Sequence, residues 1–136
     1  MMGMTQEIRV ESGALHVHAS GEFSLGEAHR AFQEVLEAVA QHKLAKVLYD
    51  GRELTGKLDT WERFQYGESV ATAVAEFARR DLSLALQFAY VLKEPVLDPS
   101  RFGETVAVNR GVRGKVFDNM EDALEWLGIP SANDAM

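Results

Sequence analysis

Apolar residues recur along this chain with two different periods, which alternate from the N-terminus onward. Apolar and polar residues alternate over 8–10 and 15–19, which predicts a two-strand hairpin with one buried face. Over 25–42 the apolar residues recur every three or four positions, which predicts an amphipathic helix. Ser24 and Glu27 form a capping-box pattern at the start of this helix.

The middle of the chain repeats the order of strand and helix. Residues 46–49 predict a short buried strand, and 50–61 predict a loop at its carboxyl end because glycines interrupt the apolar pattern. Residues 59–80 predict a long helix with a broad apolar face. Gly67 lies inside this helix and predicts a break, because glycine costs about 1 kcal/mol there relative to alanine.

The last third of the chain continues the alternation. It predicts a strand buried on both faces, a loop with two prolines, a helix ended by a glycine, a short strand and a final helix. The final helix begins with Asp118 and Glu121 in a second capping-box pattern. These elements lie, in order, at 84–92, 93–100, 101–109, 115–117 and 118–127.

Together the elements predict an α/β fold. We expect a mixed, mostly parallel sheet of about five strands, with an antiparallel N-terminal edge hairpin and helices packed on the sheet. A chain of 136 residues fits one domain. We place this domain at 6–129, between a disordered N-terminus over 1–5 and a disordered tail over 130–136.

Composition argues against several classes of function. The formal net charge of −7 argues against nucleic acid and weakens electrostatic attraction to anionic lipid. The absence of cysteine excludes disulfides, thiol catalysis and thiolate metal sites. No apolar run approaches the length of a membrane span and no secretory signal is visible, so we expect a soluble, cytoplasmic protein.

The order of elements resembles the STAS domain, with Gly21-Glu-Phe-Ser24 before the first long helix and Val47-Leu-Tyr-Asp50 before the second. The closer likeness is to the bacterial SpoIIAA-like family, grouped with STAS/SEC14-type domains, through the segments 50–56, 102–110 and 116–127. The resemblance implies a module that is not an enzyme. It implies binding of an apolar small molecule, a membrane surface or a protein partner.

The resemblance also implies a candidate phosphorylation site. In anti-sigma factor antagonists, an Asp-Ser-x-Gly motif follows the central strand, and its serine is phosphorylated by a partner kinase. The matching residues here are Asp59, Thr60, Trp61 and Glu62, so a hydroxyl is kept and a carboxylate replaces the glycine. Thr60 is therefore the candidate, although Thr60 or Asp59 can also serve as a plain N-cap.

Aromatic side chains are the first candidates for ligand contact. Trp61, Phe64 and Tyr90 would contact an apolar ligand near the carboxyl edge of the sheet, where open α/β folds hold ligands. Uptake would occur when the helical region 59–80 shifts. Aromatic residues at helical spacing also form ordinary cores, which is the favoured interpretation for Phe64.

Two further pairs lie in the loops at the same edge. Asp50 and Arg52 would bind a polar ligand group or a partner, or else tie their own loop together. Val96 and Leu97 would form an exposed partner contact, or else fold under the proline-bounded loop.

Other chemistry finds little support in the residues. His16 and His18 alternate on one strand, but no third ligand is brought near them, so we expect no metal site. No nucleophile elbow, Walker loop or dinucleotide fingerprint is present, so we expect neither catalysis nor a cofactor.

The sequence therefore predicts a non-enzymatic binding or regulatory module, with its site at the carboxyl edge of the sheet. The alternative is a phospho-regulated protein, similar to anti-sigma factor antagonists, that is switched at Thr60. A homodimer is a further expectation, because the helix over 59–80 is apolar on more than one side.

Overall fold

Five strands lie side by side in chain order in the computed structural model, which describes residues 3–80, 85–98 and 100–130. The first two strands are antiparallel, and the second to fifth are mutually parallel. The predicted α/β fold with an antiparallel edge hairpin is therefore confirmed. The strands are β1 (Thr5–Glu11), β2 (Ala14–Glu22), β3 (Lys46–Thr55), β4 (Gln87–Val91) and β5 (Gly114–Phe117).

Within the described residues, four helices cover the two faces of this sheet: α1 (Leu25–His42), α2 (Thr60–Arg80), α3 (Phe102–Asn109) and α4 (Met120–Leu127). The first three helices connect successive parallel strands and pack on one face, because such crossovers share one hand. Helix α4 follows the last strand and packs on the opposite face. No helix in the described part of the chain is long and apolar enough to cross a membrane.

The alternation of side chains along the strands divides the core into two clusters. In β3, Val47 and Tyr49 face the cluster beneath the first three helices, whereas Leu48 faces α4. In β4, Phe88 faces the cluster beneath the first three helices, and Ala89 faces α4. The larger cluster, on the side of the first three helices, contains the candidate site.

Strand β3 is longer than predicted. It continues past Asp50 because β2 also continues, and the two strands pair up to Glu22 and Thr55. A bulge separates the two stretches of pairing. Gly51 lies there, where a β-carbon would stand 2.7 Å from a methyl carbon of Leu92. Much of the predicted loop over 50–61 is therefore a strand.

Helix α2 is continuous through Gly67, so the predicted break there is wrong. Its broad apolar surface is covered within the same chain, by the sheet, by α1 and by α3. The width of that surface therefore does not require a second subunit, and the homodimer stays a prediction.

Smaller differences concern the ends of elements. Strand β1 begins at Thr5, which the prediction counted with the disordered N-terminus, and β4 begins at Gln87. The N-cap of α4 is Asn119, whose side chain accepts a hydrogen bond from the Asp122 backbone N–H at 2.9 Å, in place of the predicted Asp118. Of the predicted tail over 130–136, residues 131–136 lie outside the described residues.

Candidate functional site

The start of α2 is held by a reciprocal pair of hydrogen bonds. The Glu62 backbone N–H donates to Asp59 Oδ1 at 2.7 Å, and the Asp59 backbone N–H donates to Glu62 Oε1 at 3.0 Å. This is a capping box, so Asp59 is the N-cap and Thr60 is the first residue of the helix. Thr60 is exposed, and the carboxylates of the capping box lie on either side of it in the chain.

An aromatic surface follows immediately on the outside of α2. The Trp61 side chain is 63% exposed and stacks on Phe64, with ring centroids 5.6 Å apart. The Arg110 guanidinium lies over the Phe64 ring at 5.5 Å. We call these three side chains the outer aromatic patch. Phe64 is half-buried here and lies outside the core that was its favoured interpretation.

Asp50 and Arg52 lie two residues apart in β3, and their side chains bond to each other. Arg52 donates two side-chain hydrogen bonds of 2.9 Å to the two carboxylate oxygens of Asp50. Partial burial acts to raise the pKa of Asp50, but the hydrogen bonds and charge of Arg52 outweigh it and hold the pKa below its ordinary value. Asp50 pairs in register with His18, which is 2.8 Å from Glu53. These polar groups therefore form a separate cluster, away from the outer aromatic patch.

The loop after β4 folds inward. Val96 and Leu97 are buried, which agrees with the interpretation that they fold under their loop. Arg63 of α2 holds the loop by donating to the backbone oxygens of Val96 at 2.9 Å and Pro95 at 3.1 Å. Sequence reasoning missed Arg63, because a single arginine on a helix carries no local signal for contacts so far along the chain.

Asp98 closes the same loop. Its carboxylate accepts hydrogen bonds from the backbone N–H of Phe102 and from Ser100, each within 3.0 Å. Burial acts to raise the pKa of Asp98, yet these hydrogen bonds and the nearby Arg63 together lower it. An ionised Asp98 therefore holds the loop against the start of α3.

Tyr90 lies inside this framework. Its hydroxyl oxygen is 2.8 Å from the hydroxyl oxygen of Tyr66 on α2, and its ring stacks on Tyr49 of β3 with centroids 4.6 Å apart. Burial raises the pKa of all three tyrosines, so their hydroxyls stay protonated at neutral pH. Of the aromatic residues predicted to line a pocket, Tyr90 lies in the interior, whereas Trp61 and Phe64 lie on the outer surface.

A cavity of about 120 Å³ lies beside these tyrosines, between the sheet and helices α2 and α3. Its walls are mainly apolar and include the buried side chains of Val96 and Leu97 from the 93–98 loop. Its lining includes Tyr49, Tyr66, Tyr90, Arg63, Ala107 and Val108.

Arg101 and Glu104 of the α3 region lie at the rim and contact the free edge of β5. Arg101 Nη1 donates to the Val116 carbonyl, and the Val116 backbone N–H donates to Glu104 Oε2. These side chains occupy backbone groups that an edge strand would otherwise offer to another chain.

The described residues contain no group of three or more histidine, aspartate or glutamate side chains placed to hold a metal ion. The two strand histidines are used otherwise: His18 pairs with Glu53, and His16 lies 3.1 Å from the Glu11 backbone oxygen.

Comparison with known proteins finds a likeness in structure. No family model and no curated protein matches the chain. A solved structure that does match is the crystal structure of an anti-sigma factor antagonist from Mycobacterium paratuberculosis, at 16% sequence identity and a TM-score of 0.58. The match covers 93% of this chain and 95% of that one. The chain therefore shares its fold with this anti-sigma factor antagonist, and the predicted SpoIIAA-like STAS fold is confirmed.

Proposed function

We propose that this chain is a non-enzymatic regulatory module that docks a protein partner through the outer aromatic patch at the start of α2. The observation that carries the proposal is the 63% exposure of Trp61, the most exposed large apolar side chain among the described residues. Tryptophan is enriched among residues that dominate binding energy at protein interfaces. Stacking on Phe64 fixes its ring before binding, which reduces the entropy lost on docking.

The partner that we propose is an anti-sigma factor with a basic face around an apolar pocket. The named structural neighbour supports the choice of partner, since it is an anti-sigma factor antagonist. Charge supports the basic face, because the chain carries a net charge of −7 and the Asp59 and Glu62 carboxylates flank Trp61 in the chain. The proposed place of action is the cytoplasm.

The test measures binding to each anti-sigma factor encoded in the same genome by isothermal titration calorimetry. We expect Trp61→Ala to weaken binding at least about 10-fold. Val10→Ala is the matched control, because Val10 is 50% exposed on the edge strand β1, and it should bind like the wild type. Loss of binding in both variants, or in neither, would contradict docking at α2.

We further propose that phosphorylation of Thr60 switches docking off. A phosphate adds about −1.5 to −2 charges at neutral pH. A free helix N-terminus would stabilise that charge, but the Glu62 backbone N–H already donates to Asp59, and both carboxylates would repel the phosphate. This repulsion would open the capping box at the start of α2 and displace Trp61, and we expect that loss to outweigh the attraction of the added charge for a basic partner face. In the same assay, Thr60→Glu should weaken binding severalfold and Thr60→Val should not. Equal binding by the two variants would remove Thr60 from the mechanism and leave the docking surface in place.

A further inference from the structure

We propose that the cavity beneath α2 and α3 binds a compact, neutral, mainly apolar molecule that carries one hydrogen-bond acceptor. The volume of about 120 Å³ suits a single six-membered ring, since an apolar protein cavity of about 150 Å³ is known to bind benzene. Trp61 and Phe64 do not line the cavity, so this site is separate from the proposed docking surface.

The hydroxyl of Tyr49 supplies the polar contact. Tyr49 is only 5% exposed, and its hydroxyl has no hydrogen-bond partner among the described residues. Tyr66 and Tyr90, by contrast, bond to each other. A ligand acceptor in the cavity would give this hydroxyl a hydrogen-bond partner in mainly apolar surroundings, where such a bond is stronger than in water.

The Tyr49 hydroxyl faces open space. Among the described residues, the Gln6 side-chain oxygen is the one fully enclosed side-chain nitrogen or oxygen without a partner. The unpaired Tyr49 hydroxyl is therefore not enclosed by protein atoms. Because Tyr49 lines the cavity and is otherwise buried, the cavity is the space that its hydroxyl reaches.

The charged side chains at the rim explain why the ligand is neutral. Arg63 is engaged by two backbone carbonyls of the 93–98 loop, and Arg101 and Glu104 are engaged by Val116. Lys115 lies over the Phe117 ring at 5.5 Å. A charged ligand would lose its hydration, and Arg63, Arg101 and Glu104 are already engaged by backbone groups, so its burial in the cavity is unfavourable.

The α3 side of the cavity offers the route of entry. Val108 lines the cavity and is also 43% exposed, so its side chain extends from the cavity wall to the surface. A molecule of one ring can pass by local movement of α3, without the shift of the whole 59–80 region that the sequence analysis considered.

A pair of probes of equal shape tests the hydrogen bond. Cyclohexanone and methylenecyclohexane differ only in an oxygen that replaces a CH₂ group. Both would be titrated into the wild-type chain and followed by ¹H–¹⁵N NMR. We expect both to bind, with shifts clustered on β3, β4 and α3. Tyr49→Phe should weaken cyclohexanone binding about fivefold and leave methylenecyclohexane binding unchanged.

Two further variants complete the experiment. Ala107→Leu fills the cavity and should abolish binding of both probes, while Trp61→Ala should bind both like the wild type. If Ala107→Leu does not fold, the Tyr49→Phe comparison decides alone, because it removes a single oxygen atom and leaves the ring in place. Failure of both probes to bind, or an equal loss of both in Tyr49→Phe, would overturn the proposal. Partner docking would be unaffected by that result, because it is measured through Trp61.

Discussion

Gly67 of α2 lies directly against Gly103 of α3: a β-carbon at position 67 would stand 2.6 Å from the Gly103 carbonyl oxygen. The two helices can approach this closely only because residue 67 has no side chain. The contact explains a glycine in the middle of a continuous helix. It also fixes the position of α3, which forms one wall of the cavity.

Replacing Gly67 should therefore destabilise the fold. An alanine in a helix interior is normally favoured over glycine by about 1 kcal/mol. At position 67 we expect the opposite, a loss of about 1–3 kcal/mol in the free energy of unfolding, because the added methyl group pushes α3 away. Urea unfolding measures this difference. Gly26→Ala in α1 is the control, since a β-carbon there meets nothing within 4 Å, and it should not lower stability. Equal effects of the two substitutions would show that the helix contact is not tight.

Tyr49 and Tyr90 should respond differently to loss of their hydroxyls. Tyr90→Phe leaves the Tyr66 hydroxyl without its partner at 2.8 Å, so unfolding free energy should fall by about 1–2 kcal/mol. Tyr49→Phe removes a hydroxyl that has no partner among the described residues, so stability should be unchanged or higher. Thermal and urea unfolding of both variants provide the comparison. A Tyr49→Phe protein as unstable as Tyr90→Phe would mean that the Tyr49 hydroxyl is bonded in the native state.

Arg63 should control the order of the 93–98 loop. Arg63→Met keeps much of the side-chain length but removes the donors to Pro95 and Val96, and it should lower stability by about 1–3 kcal/mol. Amide hydrogen exchange should become faster in the loop and at the start of α3. Arg79→Met, at an exposed position in the last turn of α2, should change neither quantity. Unchanged exchange in the Arg63 variant would show that the buried Val96 and Leu97 hold the loop by themselves.

Stability should fall in acid through Asp98. Its pKa is lower in the folded chain than in the unfolded chain, so its contribution is present above the unfolded pKa of about 3.9. That contribution is lost as the pH falls through the lower, folded pKa. Asp98→Asn should therefore be less stable than the wild type at neutral pH, and the two unfolding free energies should converge as the pH falls below the folded pKa of Asp98. Chemical unfolding over this range measures the difference. Parallel curves for the two proteins would show that the Asp98 charge does not hold the loop.

The sequence was sufficient for the elements whose patterns are local. The hairpin and the helix of 25–42 follow from periods of two and of three to four residues, and the structure contains both. The order of strands and helices also predicted the mostly parallel sheet, because connections between parallel strands are restricted in hand. The length of β3 was not predictable, since Glu53 to Thr55 are held by pairing with β2 and not by their own pattern.

The rotation of α2 about its axis decides which of its aromatic side chains face the cavity and which face outward. The stripe that faces the cavity is Arg63, Tyr66, Gly67 and Val70, which has ordinary helical spacing but contains an arginine and a glycine. A hydrophobic pattern does not identify such a stripe, and it favours Trp61 and Phe64, which lie outside. Arg63 belongs inside only because the 93–98 loop brings carbonyl oxygens to it.

The chain by itself thus determined the type and order of most elements and the edge of the sheet near which a site was expected, because these depend on short-range period and on chirality. The tertiary structure decided which side chains meet. Asp50 bonds to Arg52, Tyr66 bonds to Tyr90, and the Tyr49 hydroxyl lies beside a cavity with no hydrogen-bond partner among the described residues. Such outcomes depend on strand register and helix rotation, which are set by contacts between residues far apart in the chain.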